Sequence, residues 1–176
     1  MIVGDVFRKR LLVTLIASAA LFAVACNNAL QASQEAADHN WNTYTNVRFQ
    51  YKICYPTDLL SPQGESENSD GQTFLAKDGA KLIVYGQNNA LNDSLKNTLQ
   101  ETASRLAGPS GKVTYQVLKP NWFVASGRGK DDIFYVKTLY SHDQFKSFEL
   151  TYKDSQAAVY GPIVKRLSSC FADLAR

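Results

Sequence analysis

Residues that carry chemistry are scarce in this sequence. Among 176 residues there are two histidines, His39 and His142, and three cysteines, Cys26, Cys54 and Cys170. Two thiolates alone make a poor zinc site, so no metal is expected. Ser141-His142-Asp143 sets triad residue types side by side. A triad needs its Ser and Asp on opposite sides of the imidazole, which chain neighbours rarely achieve, so the run reads as a solvated turn. Gly127-Arg128-Gly129-Lys130 evokes phosphate binding but lacks the Gly-x-x-x-x-Gly-Lys-Ser/Thr spacing and runs into Asp131-Asp132; it reads as a hairpin turn. No Lys/Arg cluster marks a nucleic-acid face. The longest uncharged apolar run, Leu11 to Ala25, falls short of the ~20 residues of a comfortable membrane span. These absences point away from an enzyme, a cofactor and a nucleic-acid partner.

What is present begins with charge placement. The formal net charge is +3. Arg8, Lys9 and Arg10 against Asp5 give residues 1–25 a net +2, so the remainder carries +1 and its charges are interspersed in sign. The basic triplet, the uncharged run and the small residues Ala23-Val24-Ala25 before Cys26 form a signal-peptide pattern. They resemble the lipobox of bacterial lipoproteins. That resemblance implies a signal peptide over 1–25 and a Cys26 bearing a diacylglycerol and a further acyl chain. Several chains anchor a protein stably, each buried methylene contributing about 0.8 kcal/mol. The domain would then sit in the bacterial envelope facing the periplasm. In the proteobacterial lipoproteins that this segment resembles, a residue other than Asp after the cysteine implies outer-membrane sorting, so Asn27 favours the outer membrane over the inner in a host with two membranes. The alternative is a plain secretory signal with Cys26 incidental. Residues 26–45 form the lipidated cysteine and a polar tether, with a short helix around Gln31 to Ala37, and 46–176 a single globular domain.

Within that domain, Val47 to Tyr55 alternates like a strand, with Phe49, Tyr51 and Ile53 on one side and Cys54 on the other. Pro56 ends it, and a long polar loop spans Ser61 to Gln72. Strands are expected over 73–76 and 81–87, joined by an Asp-Gly turn. A helix capped by Asn92 or Asp93 carries the stripe Leu95, Leu99, Ala103 and Leu106 and stops at Gly108-Pro109. Four strands follow, over 112–118, 121–127, 133–141 and 145–153. Ile133 to Tyr140 is apolar at odd and even positions, as in a central strand covered on both faces. The aromatics Tyr135, Tyr140, Phe145, Phe148 and Tyr152 are either a binding face or, as strand aromatics more often are, core. A last helix, Val159 to Leu174, has Ile163, Leu167, Cys170, Phe171 and Leu174 inside and Pro162 in its first turn.

The opening strand RFQYKICYP, the return SDGQTFLAKDGAKLIVYG, the middle helix, the meander and the last helix resemble the PsbP-type fold. That fold is known from an extrinsic photosystem II subunit and from bacterial envelope lipoproteins of the DcrB type. The resemblance covers roughly Asn46 to Leu174. It implies an α+β domain with a mostly antiparallel sheet of six to seven strands sandwiched by helices, and a family of assembly factors and binding modules without chemistry of their own.

Two features remain as candidate sites. Cys54 and Cys170 are the cysteines left once Cys26 is lipidated, and an exported compartment permits a disulfide between them; separate buried thiols or a metal pair are the alternatives. The loop carrying Glu65, Glu67, Asn68 and Asp70 imitates the start of an EF-hand. Its twelfth position, however, is Lys77 where a bidentate Glu is required. It reads as a recognition loop, not a calcium site. The expected function is a non-enzymatic envelope module for a protein partner. Alternatives are an immunity or inhibitor protein against an envelope-acting toxin and, further off, a hydrolytic enzyme.

Overall fold

A computed structural model describes residues 39–175. The signal segment, Cys26 and most of the tether lie outside the described residues. Among the described residues ten strands and two helices run in the order β1 (Trp41–Asn46), β2 (Tyr51–Pro56), β3 (Leu60–Glu65), β4 (Gly71–Ala76), β5 (Lys81–Asn88), α1 (Leu95–Ala107), β6 (Lys112–Lys119), β7 (Trp122–Arg128), β8 (Asp132–Ser141), β9 (Gln144–Lys153), α2 (Ala157–Cys170) and β10 (Ala172–Asp173). A single 3-10 turn, Asp154–Gln156, leads into α2.

Seven strands form one antiparallel sheet in the order β3-β4-β5-β9-β8-β7-β6, and β1-β2-β10 form a second, smaller sheet. Register assigns the faces, because alternate residues of a strand share one. On one face Phe123, Ala125 and Val136 pack under Leu99 and Ala103 of α1. On the other, Leu82, Val84, Phe148 and Leu150 pack with Tyr51 and Ile53 of β2 and with Ile163 and Leu167 of α2. The architecture is therefore α+β, with a helix on each face of the large sheet.

Several elements differ from the sequence expectation. The first strand is a hairpin: Trp41–Asn46, expected in the tether, forms β1 and pairs with β2. Residues 47–50 are its turn, which leaves Val47 bare. The polar stretch expected as a loop over Ser61 to Gln72 begins as strand β3, an exposed edge that tolerates Pro62 and gives no apolar alternation to read, and only residues 66–70 form the connecting tip. The middle position of the sheet belongs to β9, buried from Phe145 to Leu150, although β8 is an interior strand as expected. Phe145, Phe148 and Tyr152 are core, while Tyr135 and Tyr140 are half-buried.

Ser94, not Asn92 or Asp93, caps α1, accepting from the Asn97 amide at 3.1 Å. Asn92 is in the left-handed region and the Asp93 amide bonds Asn89, so the helix starts one residue later. Helix α2 begins at Ala157, which puts Pro162 inside it rather than in its first turn, and it ends at Cys170. Beyond it Phe171 stays buried, but Leu174 lies past β10 and is exposed.

Candidate functional site

Four connections gather at one pole of the domain: the β1–β2 turn (47–50), the β3–β4 tip (66–70), the β5–α1 loop (89–94) and the β8–β9 turn (142–143). The pairings Asn46↔Tyr51, Gly71↔Tyr85 and Asn88↔Gln144 put the strand ends that feed them on the same side. The start of β1 lies at the other pole, where Trp41 pairs with Pro56 and Leu60 with Ala76 beside the β4–β5 turn.

All five non-glycine residues with positive φ among the described residues lie in these loops: Gln50, Ser69, Asn92, His142 and Asp143. His142-Asp143 is the two-residue hairpin turn that takes positive φ at both positions. The others hold left-handed backbone at a cost of about 1–2 kcal/mol each. Such outliers persist only where the surroundings over-determine them, and they cluster at functional sites.

Two buried asparagines do the fixing. Asn46 accepts from the Phe49 amide (2.8 Å) and donates to the Ser69 carbonyl (2.9 Å), joining the first turn to the β3–β4 tip. Arg48 also donates to the Asn68 carbonyl. Asn89 donates to the Asp93 carbonyl (3.1 Å), and its backbone amide donates to the Asp143 carbonyl (2.8 Å), joining the other two loops. Gly86 is pressed against the Phe49 ring, and its amide donates to the Asp70 carbonyl (2.8 Å), so β5 meets the first pair. From this braced pole Val47 and Leu91 project 84% and 83% exposed.

The recognition loop is part of the pole, but most of its acids are engaged. Glu65 accepts from the Tyr44 hydroxyl at 2.7 Å. Burial above all, and Glu65, push that hydroxyl up to about 12 against a hydrogen bond from Asn46, so it stays a donor. Asp70 accepts from Ser66 (2.5 Å) and Asn68 (2.8 Å). Those bonds, the one from Ser66 foremost, hold its carboxyl below the ordinary value. Glu67 is exposed. Glu65, Ser66, Asp70, Thr73, Ile83 and Tyr85 line a shallow hollow of about 250 Å³ behind the tip. Among the described residues no three His, Cys, Asp or Glu side chains are grouped to hold a metal ion.

The arrangement of strands and helices matches a solved structure. The chain is similar to cyanobacterial PsbP (CyanoP) from Synechocystis sp. PCC 6803, with a TM-score of 0.58 at 9% identity, over 77% of this chain and 93% of that one. The fold is PsbP-like. No protein-family model and no curated protein matches the chain.

In this PsbP-like domain Cys54 and Cys170 form a disulfide, their α-carbons 5.8 Å apart across 116 residues of sequence. The histidines stay apart: His39 meets Asp58 at 2.6 Å, while His142 sits in its turn. Ser141 turns away from His142, donating to Asp173 and accepting from Lys146 (3.0 Å). That places a hydroxyl beside an amine, a juxtaposition the sequence did not suggest. Yet Lys146 is fully buried and ion-paired with Asp173 at 2.5 Å, so its charge is committed to a carboxylate. On the opposite face, buried Glu149 accepts from Tyr85 (2.8 Å) and from Arg105 of α1. Burial first, then Glu149, pushes the Tyr85 hydroxyl well above its ordinary value. Both networks brace the sheet. Their one sequence signal is a charge at an apolar strand position, Lys146 and Glu149 in FKSFEL.

Proposed function

We propose that this chain is a bacterial envelope lipoprotein of the DcrB type, anchored through an acylated Cys26, whose domain is a non-enzymatic binding or assembly module for a protein partner. The observation that carries the reading is the pole itself: four loops braced by buried asparagines, from which two bare apolar side chains, Val47 and Leu91, project. Pre-set loops lower the ordering cost of binding. The basic triplet, the uncharged run and the small residues before Cys26 support the anchorage, and Asn27 favours the outer membrane.

Photo-crosslinkers at Val47, Leu91 and, as the opposite-pole control, Val159 test the site in intact envelopes. The expected result is one shared protein adduct from positions 47 and 91 and none from 159. Adducts of equal yield at all three, or at none, would sink the reading. In the same cells Cys26→Ala is expected to lose lipid labelling and to leave the membrane fraction; retention at high salt would refute the anchor.

A further inference from the structure

We propose that β6 is a second docking edge, which takes an extended acidic segment of another protein as an added strand. The edge strands of the large sheet are β3 and β6. An edge strand offers a row of unpaired amides and carbonyls, and natural proteins blunt such rows with proline, bulges or covers. At β3 the blunting is severe: Pro62 removes a donor, and the register breaks between Pro62 and Glu65, with Gly64 at φ +92. β6 is longer, eight residues without proline. Its one register break lies between Val113 and Tyr115, leaving Tyr115–Lys119 in unbroken register.

Charge selects the occupant. From residue 102 to residue 130 the sequence has Arg105, Lys112, Lys119, Arg128 and Lys130 and no Asp or Glu. Arg105 and Arg128 are ion-paired, to Glu149 and Asp154. Lys112 and Lys119 are exposed and have no ion pair among the described residues. Register puts Lys112, Tyr115, Val117 and Lys119 on one face, because they pair with Arg128, Ser126, Val124 and Trp122. Tyr115 is 55% exposed. Along that face the edge therefore reads basic, aromatic, aliphatic, basic. The complementary strand has acids at both ends of an apolar pair on one face. Strand addition works this way: main-chain bonds give affinity and alternate side chains give specificity. A second copy is the wrong occupant, because an antiparallel β6–β6 pair centred on the strand sets Lys112 against Lys119, and like charges directly opposite destabilise.

The probe is a capped peptide, Glu-Thr-Val-Thr-Val-Thr-Glu, added to the protein while backbone amide exchange is followed. Exchange is expected to slow within 112–119 and not within 60–65, and the effect to weaken with salt. The double variant Lys112→Glu/Lys119→Glu is expected to bind the probe about tenfold less well or worse. It should gain binding to the reversed probe Lys-Thr-Val-Thr-Val-Thr-Lys, which shows that the variant is folded. No slowing in β6 at millimolar peptide overturns the proposal, as does equal protection of the unmutated protein by the lysine probe. Protection of β6 without probe also overturns it. If that protection rises with protein concentration the occupant is a second copy, and if not it is a segment of the same chain.

Discussion

Lys146 and Asp173 determine how the last strand is held. A fully buried ammonium is tolerable only with a counter-charge and satisfied donors, and here they come from Asp173 and Ser141. Burial alone would raise the Asp173 carboxyl. The hydrogen bonds from Lys146, Ser141 and the Ala175 amide outweigh it and hold the group below its ordinary 3.8. A carboxyl depressed in the folded state contributes stability that is complete above its unfolded pKa and is lost as pH falls through the folded value. The melting temperature is therefore expected to be flat above about pH 5 and to fall on acidification below about 4. Asp173→Asn should remove part of that slope and, by stranding the buried ammonium, cost about 3–5 kcal/mol at neutral pH. Chemical unfolding of both proteins across pH checks this; an unchanged slope in the variant refutes it. Lys146 was visible in the sequence as a charge among apolar neighbours. Its partner was not, because Asp173 lies 27 residues away and only tertiary packing joins them.

At the scale of elements, side-chain pattern decided what could be read. Strands β4 to β9 and helix α1 announce themselves by alternation, by the apolar stripe of α1 and by Asp-Gly and Gly-Pro punctuation. β1 and β3 do not, because edge strands owe their pairing to main-chain bonds and expose most of their side chains. The turn after β1 was hidden in the same way: Val47 fits the alternation expected over Val47 to Tyr55, on the side of Phe49 and Tyr51, whereas the chain turns at 47–50 and leaves it bare. Gly71 shows how tightly the β3–β4 hairpin is set. An added Cβ would lie 1.9 Å from the Val84 carbonyl oxygen and 2.7 Å from the Tyr85 Cα, both backbone atoms that cannot rotate aside. Gly71→Ala is expected to push the start of β4 off β5 and to cost on the order of 1–3 kcal/mol. Urea unfolding gives the loss, and faster amide exchange confined to 60–76 would locate it. A change below about 0.5 kcal/mol would mean that the strands pair more loosely than described.

At the scale of the whole molecule the disulfide joins β2 to the end of α2. Cys54→Ser and Cys170→Ser are each expected to lower stability by about 2–5 kcal/mol, and the pair by little more, since both remove one bond. Thiol titration of the denatured, unreduced protein should find neither cysteine free; two reactive thiols, or additive losses, would refute the bond. The small sheet has a further consequence, in time rather than space. Its strand β2 lies between β1, made before it, and β10, made more than a hundred residues later. Contacts of such sequence separation form slowly, because a long loop must close before they repay it. Until Asp173 emerges, Lys146 lacks its counter-charge and the Gln50 carbonyl lacks the Leu174 amide that bonds it at 2.7 Å. The first loop of the pole therefore sets late. A chain interrupted before β10 can hold most of the large sheet while the 47–50 turn still lacks the strand that fixes it.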